Sequence, residues 1–202
     1  MRLLRPVLLL VAATLALAGC ASATPGSAVP PSATITAPGE VVGQGTVLQK
    51  DGETAMLCLG VVAQSYPPQC TGPAIAGWDW STIDLKESSG GVTWGTFAVF
   101  GTWDGTTFTS TQSPIPLALY DPMKHDPDPR LDPANAGAGT AEGMTHIQND
   151  LMNSSVVTVL STHTENGYVW VSVIYDDGTI QAYFDATYGF DVVAVQPALV
   201  DR

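Results

Sequence analysis

Three cysteines, three histidines and a run of Asp-Pro pairs carry most of the chemistry open to this chain. A histidine can act as general base for a serine or cysteine nucleophile, but the sequence motifs that mark such sites are missing. No Gly-x-Ser-x-Gly elbow, Ser-x-x-Lys or His-Glu-x-x-His occurs. His125, His146 and His163 could meet a serine and an aspartate only through the fold. His146 sits beside the apolar stripe of a predicted helix, and His163 stands near Glu165 at a predicted hairpin end. Cys58 lies inside the apolar run 55–63, where a thiol is poorly activated. Neither Cys58 nor Cys70 has a histidine or a further cysteine at zinc-ligand spacing. Asp126 and Asp128 stand two apart, as in calcium loops. Prolines occupy the flexible positions and Lys124 and Arg130 sit among the acids, so the segment reads as a stiff solvated loop. Gly137-Ala138-Gly139 before a helix start could cradle a phosphate, but Glu142 in the first turn repels one. No catalytic, cofactor or metal residue is assigned.

The third cysteine is of another kind. Arg2 and Arg5 precede an apolar run over residues 7–17, which leads into Leu17-Ala18-Gly19-Cys20. A positive start, a short apolar stretch and small residues make a secretory signal peptide. The run falls short of the roughly 20 residues a membrane-spanning helix needs. The Leu-Ala-Gly-Cys end resembles the lipobox of bacterial lipoproteins. That resemblance implies cleavage before Cys20, diacylation of Cys20 by long-chain groups such as palmitate, and residence on the outer face of the cell membrane. More than one acyl chain is needed for stable anchoring, which a diacylated cysteine meets. In an exported protein, the remaining Cys58 and Cys70 most simply pair as a disulfide.

Charge narrows the partners. Removing residues 1–19 takes two of the seven Lys+Arg and none of the 19 Asp+Glu, leaving a net charge of −14. Nucleic acid needs a basic footprint and is excluded. The same charge repels an anionic bilayer surface and keeps the body soluble. Residues 21–39 are Ala, Ser, Thr, Pro and Gly without charge, apart from Val29 and the one large aliphatic, Ile35. Such a segment buries too little to order itself and reads as a tether of about 25 Å r.m.s. span.

The elements that must position any site are mainly strands. β-rich stretches fall at residues 41–49, 55–63, 78–85, 92–103 and 106–111, with Asp104-Gly105 a hairpin signal. Five short strands in some 70 residues suggest a small β-barrel, and their spacing resembles an OB-fold. The Tyr66-Pro67-Pro68 turn interrupts pairing. An Asp/Pro/Gly-rich connector covers residues 120–139. Thr140 then caps a helix with Met144, Ile147 and Leu151 on one face, and Asn153 stops it. Strands at 156–163, 168–175, 179–185 and 190–196, joined by Asn166-Gly167 and Asp177-Gly178, predict an antiparallel meander. The expected class is α+β, with a β-barrel-like unit (40–119) followed by a helix packed on that meander (140–202).

Tryptophans supply the candidate binding face: Trp78, Trp80, Trp94 and Trp103. Trp78 and Trp80 would share a strand face. Residues 92–103 are apolar on both faces, with Phe97, Val99 and Trp103 on one and Val92, Trp94, Ala98 and Phe100 on the other. Such a strand must be covered twice; the second cover is expected from the C-terminal unit. The whole plan of lipobox, low-complexity tether and β-rich body resembles cell-envelope lipoproteins of actinobacteria. It implies a non-catalytic protein that binds a protein partner or envelope ligand. A wall- or substrate-modifying hydrolase and an assembly factor of an envelope complex are the alternatives.

The lipid expectation has a direct check. Cys20→Ser should abolish labelling by a clickable fatty acid and leave the precursor unprocessed or released. A wild-type chain that keeps Met1 and carries no label would overturn it.

Overall fold

Strand β1 (Glu40–Lys50) pairs antiparallel along its whole length with β5 (Val92–Trp103), from Glu40 opposite Thr102 to Lys50 opposite Val92. The two form the spine of the molecule, whose computed structural model describes residues 29–31, 34–121 and 127–202. Between them in sequence lie β2 (Met56–Cys58), β3 (Ala74–Ala76) and β4 (Glu87–Ser89); β6 (Thr107–Ser110) and β7 (Ile115–Pro116) follow. β1 pairs with β2, β2 with β3, β3 parallel with β6, and β6 with β5, which closes a five-stranded mixed barrel. This is the OB-like barrel unit expected. Closure brings backbones together at Gly101, where any Cβ would collide with the Thr109 carbonyl.

The barrel interior is filled by Val47, Leu57, Ile75, Phe97, Val99 and Phe108, all at or below 2% exposure. These alternate along their strands, as the two-residue period requires. Residues 78–85, expected as a strand, instead form a short 3-10 helix at Trp80–Thr82. Asp79 caps it by accepting the Ser81 N–H at 2.8 Å. Trp78 and Trp80 thereby turn inward and stop the barrel end over Phe97, with ring centroids 5.4 and 6.2 Å away.

The outer face of β5 is covered, but the helices and three-stranded sheet of the second unit are not the cover expected; only its last residue, Arg202, takes part. The ring of Tyr66, from the loop after β2, meets Trp94 edge-on at 5.2 Å. β7 pairs with β5 in the sheet beside Ala98, Tyr120 after it packs on Phe100, and the Arg202 guanidinium sits 5.0 Å over the same ring. A chain excursion and the C-terminus do what a separate domain was expected to do.

Helix α1 (Ala141–Asn153) begins and ends where predicted, with the Thr140 hydroxyl accepting the Gly143 N–H. β8 (Val159–Glu165) and β9 (Tyr168–Val173) form the Asn166-Gly167 hairpin, both turn residues having positive φ. The predicted strand at 179–185 is a helix, α2 (Thr179–Tyr188). Asp-Gly here opens a helix and not a hairpin. The Asp176 carboxylate accepts the N–H groups of Gly178 and Ile180, and Asp177 accepts that of Thr179. Ile180 and Phe184 then fall one turn apart on the buried side. Since α2 replaces a strand, β10 (Val193–Pro197) returns parallel to β9, and the meander becomes a hairpin plus a crossover. Both helices pack on the Val169, Val171 and Val173 face of this three-stranded sheet.

The two halves are joined by β11 (Leu199–Asp201), which pairs with the start of β1. Tyr175 is buried in the barrel-side core and donates its hydroxyl to Asp201 Oδ1 at 3.0 Å. The described Asp-Pro pairs of the connector act as caps. Asp128 and Asp132 each precede a Pro-started 3-10 turn, at Pro129–Leu131 and Pro133–Asn135.

Two outcomes follow. Phe97→Ala should cost about 3–5 kcal/mol in a denaturant titration, since it empties the barrel centre and unseats both tryptophans. Burial pushes the Tyr175 phenol up to about 12, and its bond to Asp201 adds to the shift. The unfolded value is about 10, so this contribution is whole below pH 10 and disappears as pH rises through 12. Between pH 8 and 11 the wild type should lose more stability than Tyr175→Phe; equal losses would refute this.

Candidate functional site

Cys58 and Cys70 are bonded, with Cα atoms 5.9 Å apart. The bridge closes the loop between β2 and β3 at its base. Within it, Ala63 and Gln69 pair as an isolated bridge and the Ser65 hydroxyl donates to the Pro67 carbonyl at 2.8 Å. This small frame holds Val61 and Tyr66 at 76% and 71% exposure, unusual for such residues. Cys20, His125 and Asp126 lie outside the described residues.

The four tryptophans are not brought onto one face. Trp78 and Trp80 meet at the barrel end, centroids 5.3 Å apart, with both indole N–H groups buried and unpartnered. Trp94 lies under Tyr66 on the outer wall. Trp103 closes the far end of the barrel core and is 5% exposed. None of the last two offers an open ring for stacking.

A groove of about 460 Å³ lies instead between the halves. One wall is the β2–β3 loop with Val61 and Thr71. The end is the β5–β6 hairpin. The other wall is Thr158, Leu160 and Ile174 of the second half. At the floor the walls nearly touch: a Cβ on Gly60 would stand 3.4 Å from Leu160. The hairpin is rigid by its own chemistry. Asp104 Oδ1 accepts the N–H groups of Thr106 and Thr107 and the Thr106 hydroxyl, at 2.7–2.8 Å. Those bonds hold the Asp104 carboxyl below the usual carboxylate range. Gly105 takes φ +94°, which a side chain disfavours.

The groove carries hydroxyls and aliphatic side chains, and no lining residue is an acid, base or thiol. The histidines are elsewhere. His146 Nδ1 stands 3.1 Å from Asp150 one turn along the exposed side of α1. His163 pairs loosely with Glu165 and lies parallel to Trp170. Among the described residues no three His, Cys, Asp or Glu side chains gather as metal ligands. Of the depressed carboxylates, Asp79, Asp104, Asp128 and Asp177 are turn or helix caps, and Glu40 accepts the Thr111 hydroxyl and the Gln112 amide.

The groove was not readable from residue types because it belongs to neither half alone. Its nearest sequence signals were the loop glycines Gly60 and Gly72 and the Asp104-Gly105 hairpin. Comparison with protein-family models, with curated proteins and with solved structures found no match to any of the three.

Replacing both Cys58 and Cys70 by serine should cost about 3 kcal/mol by the chain-entropy account. It should also raise the accessibility of the Tyr66 loop to limited proteolysis. A double variant with unchanged cleavage would show that the disulfide does not frame the groove wall.

Proposed function

We propose that this chain is a non-catalytic binding protein, anchored by lipid on Cys20 outside the cell membrane, that takes an uncharged ligand in the groove between its halves. The observation that carries the reading is the lining itself. Threonine hydroxyls and aliphatic side chains recognise shape and neutral polar groups, whereas hydrolysis needs a positioned acid or base. The location fits as well. In OB-like barrels, ligands commonly sit beside the loop joining the last two barrel strands, a fold-level analogy that adds weight and no more. The signal peptide, the Cys20 context and the disulfide agree on an oxidising extracytoplasmic setting. The hydrolase alternative has no groove residue to support it.

Native mass spectrometry of the chain purified from detergent-solubilised membranes tests the reading. The intact protein should carry a diacyl mass on Cys20 and a separate non-covalent neutral adduct. Thr71→Trp, which fills the groove, should remove the adduct and leave the covalent lipid. An adduct that survives Thr71→Trp, or an adduct-free wild type, would set the groove aside. An enriched, stoichiometric protein partner in its place would favour the assembly factor.

A further inference from the structure

The groove does not end at Trp103. A second cavity of about 150 Å³ adjoins it, sharing Trp103, Gly105, Thr158 and Ile174. It continues the same seam between the halves toward Val157, Val173 and Ile180. Its side chains in that direction include Val157, Val173 and Ile180 beside the Ser155 and Thr158 hydroxyls, and it too contains no ionisable group other than the Tyr175 phenol.

The chain before β1 forms part of the wall of this inner part, through Pro31 and Ile35. Ile35 packs against the barrel core and against the core of the second half, alone among the described residues before β1. Next to it, the Ala37 N–H donates to the Trp103 carbonyl at 3.0 Å. Thr34 lies over Gly105, where a Cβ would stand 3.0 Å from the Thr34 Cβ. Glycine at 105 thus serves two ends. It makes the hairpin turn and lets residues 34–37 lie flat across the seam.

The seating is slight. One backbone hydrogen bond and the side chains of Ile35 and Ala37 are the anchors that residues 34–37 make, against the continuous ladder that begins at Glu40. The rest of residues 21–39 has no composition for holding it down. A segment with few buried contacts belongs to the low-stability end of a protein and opens without global unfolding. What it covers is the seam between the halves, lined by aliphatic side chains and hydroxyls and adjoining the groove.

We propose that residues 34–37 are a displaceable strap, and that an uncharged apolar ligand enters the seam by competing with Ile35. The inference rests on the groove reading given above and adds its regulation. Ile35 shows the chemistry the site accepts, a neutral branched hydrocarbon presented on an extended chain. The strap also continues directly into the membrane tether. The anchor and the ligand therefore act on the same few residues.

Two measurements on the intact chain test this. In native-state hydrogen exchange, the Ala37 amide should exchange at least a hundredfold faster than Phe97 and Val99. Exchange of Ala37 only with global unfolding would overturn the strap, and this readout needs no variant. Nile red, a neutral apolar dye, supplies the second. Ile35→Ser should bind it at least tenfold more tightly than the wild type, and a peptide of residues 29–38 should compete. Equal affinity in wild type and Ile35→Ser, with binding lost in Val61→Asp, would keep the groove and refute the strap. No binding in any of the three would refute both.

Discussion

A strand that is apolar on both faces must be buried on both, and β5 sets this demand for the whole molecule. Phe97, Val99 and Trp103 point into the barrel, while Trp94, Ala98 and Phe100 point out, and all six are at most 8% exposed. The inner demand is met by closing five strands into a ring. The outer demand recruits three separate pieces: the disulfide loop through Tyr66, the segment after β7 through Tyr120, and the C-terminus through Arg202. The last piece reaches from the far end of the sequence. It arrives only because β11 crosses back to pair with β1. Burying one strand therefore ties the termini of the described body to its centre.

That tie explains why two halves make one body. β11 follows directly on the second half, so pairing it with β1 pulls the three-stranded sheet against the barrel. Tyr175 and Leu199 enter the barrel-side core as a result. The contact is incomplete along the β8 side, where Gly60 meets Leu160 and the groove opens above them. A cleft of this kind is a common product of two packed units joined at one edge.

What could be read in advance follows from the range of the forces. Val92–Trp103 as a strand, Thr140 as a cap, Asn153 as a stop and the Cys58–Cys70 pairing rest on local patterns, and all stand. The misreadings have one cause each. Asp177-Gly178 looked like a hairpin because Asp-Gly serves both turns and helix starts; Asp176, one residue earlier, decides by capping α2. Trp78 and Trp80 looked like a strand pair because their spacing of two suits a sheet. The Asp79 cap between them coils the chain, and both rings become a stopper. Ile35 was noticed only as the odd residue in a tether. Its partners lie up to the second half of the chain, a separation no local pattern reports. The groove was invisible for the same reason.

Charge closes the argument about what such a groove can hold. The described arginines are both spent on structure. Arg130 is bonded to Asp128 and lies over Trp170, and Arg202 pairs with Glu40 over Phe100. Lys86 gives its ammonium to the carbonyls of Trp80 and Ile83. The two arginines neutralise Asp128 and Glu40, Lys86 is held on neutral carbonyls, and the far more numerous carboxylates set the outer field. Anions are repelled over a Debye length, about 8 Å at physiological salt. A cation would be drawn toward the surface but would find no carboxylate among the groove residues to replace its water. A neutral ligand is indifferent to the field and loses little on leaving solvent. An acidic shell around an uncharged cleft disfavours anions there, in keeping with the neutral ligand proposed.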